Sequence, residues 1–449
     1  MADDNVARPG AGTWYPVVVL APGQLVSWGT LYYGITFLAA PMQADTGWAL
    51  SSIFGAFSAG LVLAAVLAPV AGEGITRLGA RRCLTGGSAG AAIALVIIAC
   101  STSLPMFWAG WLLAGAAMAV TLYEAAFAAL RETSGPMFRR NVGALALVGG
   151  LASTLFWPAS AWLVTAMDWR TVLLVFAVLH LVVVMPLHAL LPPRRQFRSE
   201  ATPRPEQSAD HPPARNRLPV AVLFAVAFGL AALLAGAVSA HIALLLSGRG
   251  VEQELILLVA SLIGPMQVLG RLADLALYRL IGIRVLGVLA LGAPTVALAA
   301  LVVGSTAAWV VAFAVLYGVG QGLLTIVRAM VPNLLTGAAD YARMNGWLSA
   351  PPLLGRALAP VAVAAVIESA GVPAVLGMLM VAGVVSVALF VIALAVLGSG
   401  TWTPGRARRP CCTRNRPLGT DAGRGGRGKR LEGDSAPAHN GGHRSVDTQ

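Results

Sequence analysis

Twelve long apolar runs, broken only by short turns, leave this chain very few ways to fold. They lie at 17–40, 50–71, 82–100, 105–130, 141–166, 170–191, 219–246, 254–277, 284–303, 308–334, 344–367 and 373–397. Each approaches or exceeds the roughly 20 residues that carry a helix across a bilayer. A lone segment in lipid satisfies its own backbone only as a helix. Between the sixth and seventh runs sits Pro192 to Pro219, rich in proline and charge and without an apolar stretch. Such a segment cannot bury enough surface to fold. The expected architecture is an all-α membrane protein of twelve transmembrane helices in two six-helix bundles. Its parts are an N-terminal segment at 1–16, a bundle at 17–191, a linker at 192–218, a second bundle at 219–398 and a disordered basic tail at 399–449.

Composition excludes the obvious alternatives. Only 11% of residues are charged and 57% are hydrophobic, against about 25% charged in soluble domains. The net charge of +12 first suggests nucleic acid, but the charge sits in loops and tail rather than on one folded basic face, so no nucleic-acid partner is expected. Arginines crowd the loops after the even-numbered runs: Arg77, Arg81 and Arg82, then Arg131, Arg139 and Arg140, then the linker, then Arg279 and Arg284, then Arg343. The loops after odd-numbered runs offer Arg170 and Arg249. That asymmetry predicts both termini and the linker on the cytoplasmic side of a bacterial inner membrane. The first run is too long for a signal peptide and reads as an uncleaved span.

Cys83 and Cys100 stand about 25 Å apart on one helix and cannot bridge, and Cys411 and Cys412 lie in the tail. None has metal-ligand spacing, and no cofactor is implied. The single lysine, Lys429, follows P-loop-like glycine spacing from Gly423, but Arg430 stands where Ser or Thr is required. With no nucleophile elbow, catalytic triad or metal cluster in view, an enzyme is not expected.

The loop after the second run reads Gly72-Glu73-Gly74-Ile75-Thr76-Arg77-Leu78-Gly79-Ala80-Arg81-Arg82. Its Gly72, Arg77, Gly79, Arg81 and Arg82 resemble the hallmark loop of the major facilitator superfamily, and the six-plus-six organisation is similar over nearly the whole chain. In that family an acidic residue of the loop helps latch the inward-closed state. Here the position is Thr76, with Glu73 beside it as a substitute. Tyr32-Tyr33-Gly34 through Pro41, Asp45 to Trp48, Phe138-Arg139-Arg140 and Gly270-Arg271 resemble the branch of oxalate/formate exchangers and monocarboxylate porters. The resemblance implies basic residues facing an anionic substrate from the eighth and eleventh helices, here Arg271 and Arg356.

Physical chemistry singles out the same pair. A charge near the bilayer centre is costly unless it meets a partner or a watery cavity. Arg356 lies mid-span between Pro351-Pro352 and Pro360, where a proline break would make the interrupted helix typical of transporter sites. Its planar guanidinium matches a carboxylate bidentately; a structural ion pair is the alternative. For Arg271, neutralisation by Asp274 one turn away is the alternative to substrate contact, and Asp274 is itself a candidate for gating or proton coupling. Glu124 and Arg328 occupy equivalent spans of the two halves and are expected to pair across the cleft or to be satisfied within each half, with Glu124 a candidate proton carrier. Gln24, Trp28 and Tyr32 recur at i, i+4 and i+8, one helical face suited to a partly wet cavity. His241 could titrate near neutrality but reads more readily as structural, as do His180 and His188.

The sequence therefore predicts a secondary transporter working by alternating access, functional as a monomer in the bilayer. Its expected cargo is a small organic anion, moved with protons or by exchange. Span five lacks the Gly-Pro-x-x-Gly-Gly segment of drug/proton antiporters, which lowers the rival reading of an efflux carrier for a drug-like compound. A non-transporting receptor is the rival of another class.

Overall fold

The computed structural model describes residues 14–192, 214–304, 306–337 and 340–397. Residues 1–13, most of the linker and the whole tail, with Cys411, Cys412 and the P-loop-like stretch, lie outside the described residues. All regular structure among those described is helical. Ten helices are long and apolar enough to cross a membrane. Span 1 escapes that count because it is three pieces, Tyr15–Ser27, a π-helical segment Trp28–Tyr33 and Ile35–Thr46. The longest helix, Tyr341–Val396, is two spans meeting at Gly371, whose φ of 78° only glycine adopts easily. Adding the first and dividing the last gives twelve crossings.

Spans 2 to 4 are Leu50–Leu78, Ala80–Ala99 and the pair Leu104–Thr121 with Tyr123–Thr133. Span 5 comprises Phe138–Gly149 and Ala152–Ala166, and span 6 runs Trp169–Leu179, π-helical His180–Val184 and Met185–Ala189. Spans 7 to 10 are Ala214–Ser247, Gln253–Leu277, Ile283–Val303 and Ala307–Thr336. Spans 11 and 12 lie before and after Gly371.

The expected break at Pro351-Pro352 is not found. Span 11 keeps helical backbone angles through Pro351, Pro352 and Pro360 as far as Gly371. Span 7 packs against it there: a Cβ on Gly229 would sit 3.1 Å from the Pro351 ring, and one on Gly355 would sit 2.5 Å from the Gly229 carbonyl. Span 7 itself kinks at His241, whose backbone leaves the helical region at φ −124°. The imidazole Nε2 bonds the Pro360 carbonyl at 3.0 Å. His241 thus ties span 7 to span 11.

Buried apolar residues form one cluster shared by both halves at the end carrying the arginine-rich loops. It includes Ile75, Ala129 and Val142 from one half and Phe224, Val327 and Leu348 from the other. Toward the opposite end the core divides. One cluster belongs to the first half except for Ala357, and a separate one, from Leu234 to Leu379, belongs to the second. The halves are joined at the arginine-rich end and part toward the other.

Span 6 starts on a strong cap. Asp168 accepts from the amides of Arg170 and Thr171 at 3.0 Å and from the Thr171 hydroxyl at 2.6 Å. These bonds, that of the Thr171 hydroxyl foremost, hold its carboxyl below the usual carboxylate range. Asp168→Ala is expected to cost about 1 kcal/mol, read as a lower thermal midpoint of the purified protein with transport retained.

Candidate functional site

The joined end is closed by polar ties as well as by packing. Glu73 on span 2 takes Arg343, at the start of span 11, through Oε2 to Nε at 2.6 Å, and also accepts from Arg77 at 2.6 Å. Thr76 instead returns its hydroxyl to the Gly72 carbonyl of its own helix. Glu73 therefore links the halves in the place where Thr76 has no charge. The backbones of spans 2 and 11 nearly touch here: a Cβ on Gly72 would lie 2.4 Å from the Ala342 carbonyl, and one on Gly346 would lie 2.4 Å from that of Ala68. Gly79 turns the loop with φ 84°, and Arg81 and Arg82 stand exposed beyond it.

Spans 5 and 8 make the second closure, and here one of the alternatives for Arg271 falls. Asp274 does not neutralise Arg271. It pairs with Arg139 of the other half, which also donates to the carbonyls of Tyr278 at 3.0 Å and Ile281 at 2.8 Å beyond span 8. On a helix, residues 271 and 274 are near neighbours, but the Asp274 carboxylate faces span 5, where a Cβ on Gly143 would come within 4.0 Å of it. Arg131 adds a third tie, donating to the Asn333 side chain at 2.6 Å. These arginines look like topology signals in the sequence; their role as ties between the halves is visible only once the spans are assembled.

Deeper in, Arg328 of span 10 donates to Glu124 of span 4 at 3.0 Å, and Asn345 of span 11 donates to the Glu124 backbone carbonyl at 3.0 Å. Span 4 breaks just before this point, at Leu122, whose ψ of −169° is extended. The break frees the Thr121 carbonyl, and Gln24 Nε2 takes it at 2.7 Å. Gln24 is therefore fully buried inside the first half and does not share the cavity with Trp28 and Tyr32. The π-helical turn from Trp28 changes the angular step between residues, so i, i+4, i+8 spacing no longer marks one face. His180 bonds Thr30 at 2.8 Å and His188 bonds Ser88 at 2.8 Å, both inside the same bundle.

A cavity lies between the halves, lined by spans 1, 2, 4 and 11. Trp28, Tyr32, Glu124, Asn345 and Arg356 reach it, and the remaining wall is apolar, including Leu61, Met118, Leu122 and Leu353. Aromatic rings run on from it: Trp28 lies 5.2 Å from both Tyr32 and Tyr123, and Tyr32 lies 5.1 Å from Tyr33. Arg356 and Arg271 are both within electrostatic reach of Tyr33 and Tyr123. Among the described residues, no carboxylate stands within ion-pair distance of either arginine. Arg271 is 5% exposed, and its nearest polar partner is Gln267 at 3.5 Å. Gly150 leaves it room, since a Cβ there would collide with the guanidinium. Tyr33 falls in the Tyr32-Tyr33-Gly34 stretch but carries no charge to single it out, and Tyr123 follows no motif.

Two six-helix halves, joined at one end around a cavity, have the arrangement of alternating-access carriers. The Major Facilitator Superfamily profile matches residues 20–335, and the chain belongs to that superfamily. Its members are transporters, not enzymes, and this protein is a secondary transporter in a membrane it crosses many times. Among solved structures, the human organic anion transporter MFSD10 (TETRAN) superimposes with a TM-score of 0.64 at 16% identity, covering 85% of this chain and 99% of that one. At that identity the likeness is one of fold. A search of curated proteins returned no match.

Proposed function

We propose that the protein carries organic anions by alternating access, binding the anionic group between Arg356 and Arg271 and coupling transport to protons or to exchange. The observation that carries this reading is two guanidiniums between the halves, Arg356 in the cavity wall and Arg271 buried against Gly150 of span 5, without acidic partners among the described residues. An uncompensated charge in apolar surroundings is strongly unfavourable, and an anionic cargo supplies the missing counter-charge with a bidentate fit. The fold relative agrees in kind, since MFSD10 is called an organic anion transporter, and the oxalate/formate and monocarboxylate resemblance points the same way. We place the arginine-rich end at the cytoplasm of a bacterial inner membrane by the positive-inside asymmetry. On that placement, the arrangement is open away from the cytoplasm, with residues 17–191 and 219–398 as the two moving bodies. Glu124 and Arg328 are the proposed gate.

Counterflow in proteoliposomes with labelled mono- and dicarboxylates tests the reading. Arg356→Ala is expected to lower carboxylate affinity about 10- to 100-fold, the value of a charge-assisted hydrogen bond. Wild-type protein that moves no carboxylate but moves a lipophilic cation would reject the anion reading.

A further inference from the structure

We infer that the cargo is an amphiphilic monoanion: one carboxylate on an apolar body, in place of oxalate or formate, which carry none. This rests on the organic-anion reading and narrows it by the chemistry of the cavity wall. Two charged side chains line the cavity, Arg356 and Glu124. Arg328 answers Glu124 at 3.0 Å, which leaves Arg356 as the cavity's unanswered charge. Arg271 lies outside the lining and is 5% exposed, so it offers no second anchor within the cavity.

Away from Arg356 and the polar edges of Trp28, Tyr32 and Asn345, the wall is built from Leu61, Ala64, Met118, Ala119, Leu122 and Leu353. No second cation stands in this lining. A second carboxylate would have to surrender its hydration with neutral donors alone, and no counter-charge, in exchange. Trp28 and Tyr32, 5.2 Å apart and edge-to-face, offer ring surface suited to an aromatic or aliphatic body. The alanines at 64 and 119 set the width, because each ends in a single methyl where a larger side chain would occupy the cavity.

The test is ligand-induced thermal stabilisation of the full-length protein in detergent, with apparent Kd taken from concentration series. The probes are butyrate, hexanoate, octanoate, 2-naphthoate, 1-octanol, formate, oxalate, succinate and tetraphenylphosphonium. Affinity is expected to rise about fourfold per added methylene, the equivalent of ~0.8 kcal/mol. Octanoate and 2-naphthoate should bind at least a hundredfold tighter than formate, oxalate or succinate. Octanol should show no specific binding, and Arg356→Gln should weaken every carboxylate of the series at least tenfold; should that variant misfold, Arg356→Ala is read in its place. Ala119→Leu is expected to weaken octanoate at least tenfold more than butyrate. Oxalate or succinate binding tighter than octanoate, with dependence on Arg356, would overturn the amphiphile while leaving an anion carrier in place. Equal losses for octanoate and butyrate in Ala119→Leu would also overturn it. Stabilisation by tetraphenylphosphonium and by no carboxylate would remove both this inference and the reading beneath it.

Discussion

Glu124→Gln and Arg328→Gln should each abolish gradient-driven uptake while the protein still inserts and purifies. The two side chains meet across the halves at 3.0 Å, with exposures of 21% and 16%, so water screens them only in part. Removing one partner leaves the other charged in apolar surroundings, which costs roughly 3 kcal/mol, near the low end for pairs broken inside proteins. That loss falls on the arrangement in which the pair is made. The double variant Glu124→Gln/Arg328→Gln leaves no orphaned charge, so it should be more stable than either single one, and a double-mutant cycle on the thermal midpoints measures the coupling. Transport should stay lost in the double variant, because restoring stability does not restore a proton-accepting carboxylate. Full uptake by both single variants would end the assignment of this pair as a gate.

The fold was legible because its strongest determinant is local. Apolar runs such as 50–71 and 284–303 appear as helices Leu50–Leu78 and Ile283–Val303, since lipid forces each run to satisfy its own backbone. What stayed hidden depends on departures from regular geometry or on assembly. The π-helical turn at Trp28 rotates Gln24 away from Tyr32, and it carries no residue signature. Pro351 and Pro352 advertised a break that packing by Gly229 and Gly355 absorbs, whereas the real interruption of span 4 falls at Leu122, where no proline stands. Glu73 could be named as a substitute for the missing loop acid, but its partner Arg343 is 270 residues away. Asp274 offers itself to its sequence neighbour because helical spacing is visible in a sequence and the approach of span 5 is not.

Span 5's approach carries the other large expectation: Arg139→Ala should shift the protein toward the arrangement open at the arginine-rich end. The Asp274 side chain is 1% exposed and that of Arg139 is 11% exposed, so this pair is drier than the Glu124–Arg328 pair. Arg139 also satisfies two carbonyls beyond the end of span 8. Its removal strands a buried carboxylate and those acceptors together, at roughly 3–5 kcal/mol. Separation of spans 5 and 8 relieves that cost, because water then reaches Asp274. Since each 1.4 kcal/mol is a factor of about ten in a two-state equilibrium, the open population should rise at least a hundredfold. A cysteine placed at Ala71, in the cavity wall near the closed end, reports the shift once the native cysteines are replaced by serine. Its reaction with a membrane-impermeant maleimide from the arginine-rich side should accelerate by a similar factor. Asp274→Asn should give a smaller shift, because Arg139 keeps its carbonyls and loses only the charge opposite. A lowered thermal midpoint with unchanged labelling would mean that the pair is made in both arrangements, and the closure would then rest on Glu73, Arg343 and the glycine contact of spans 2 and 11.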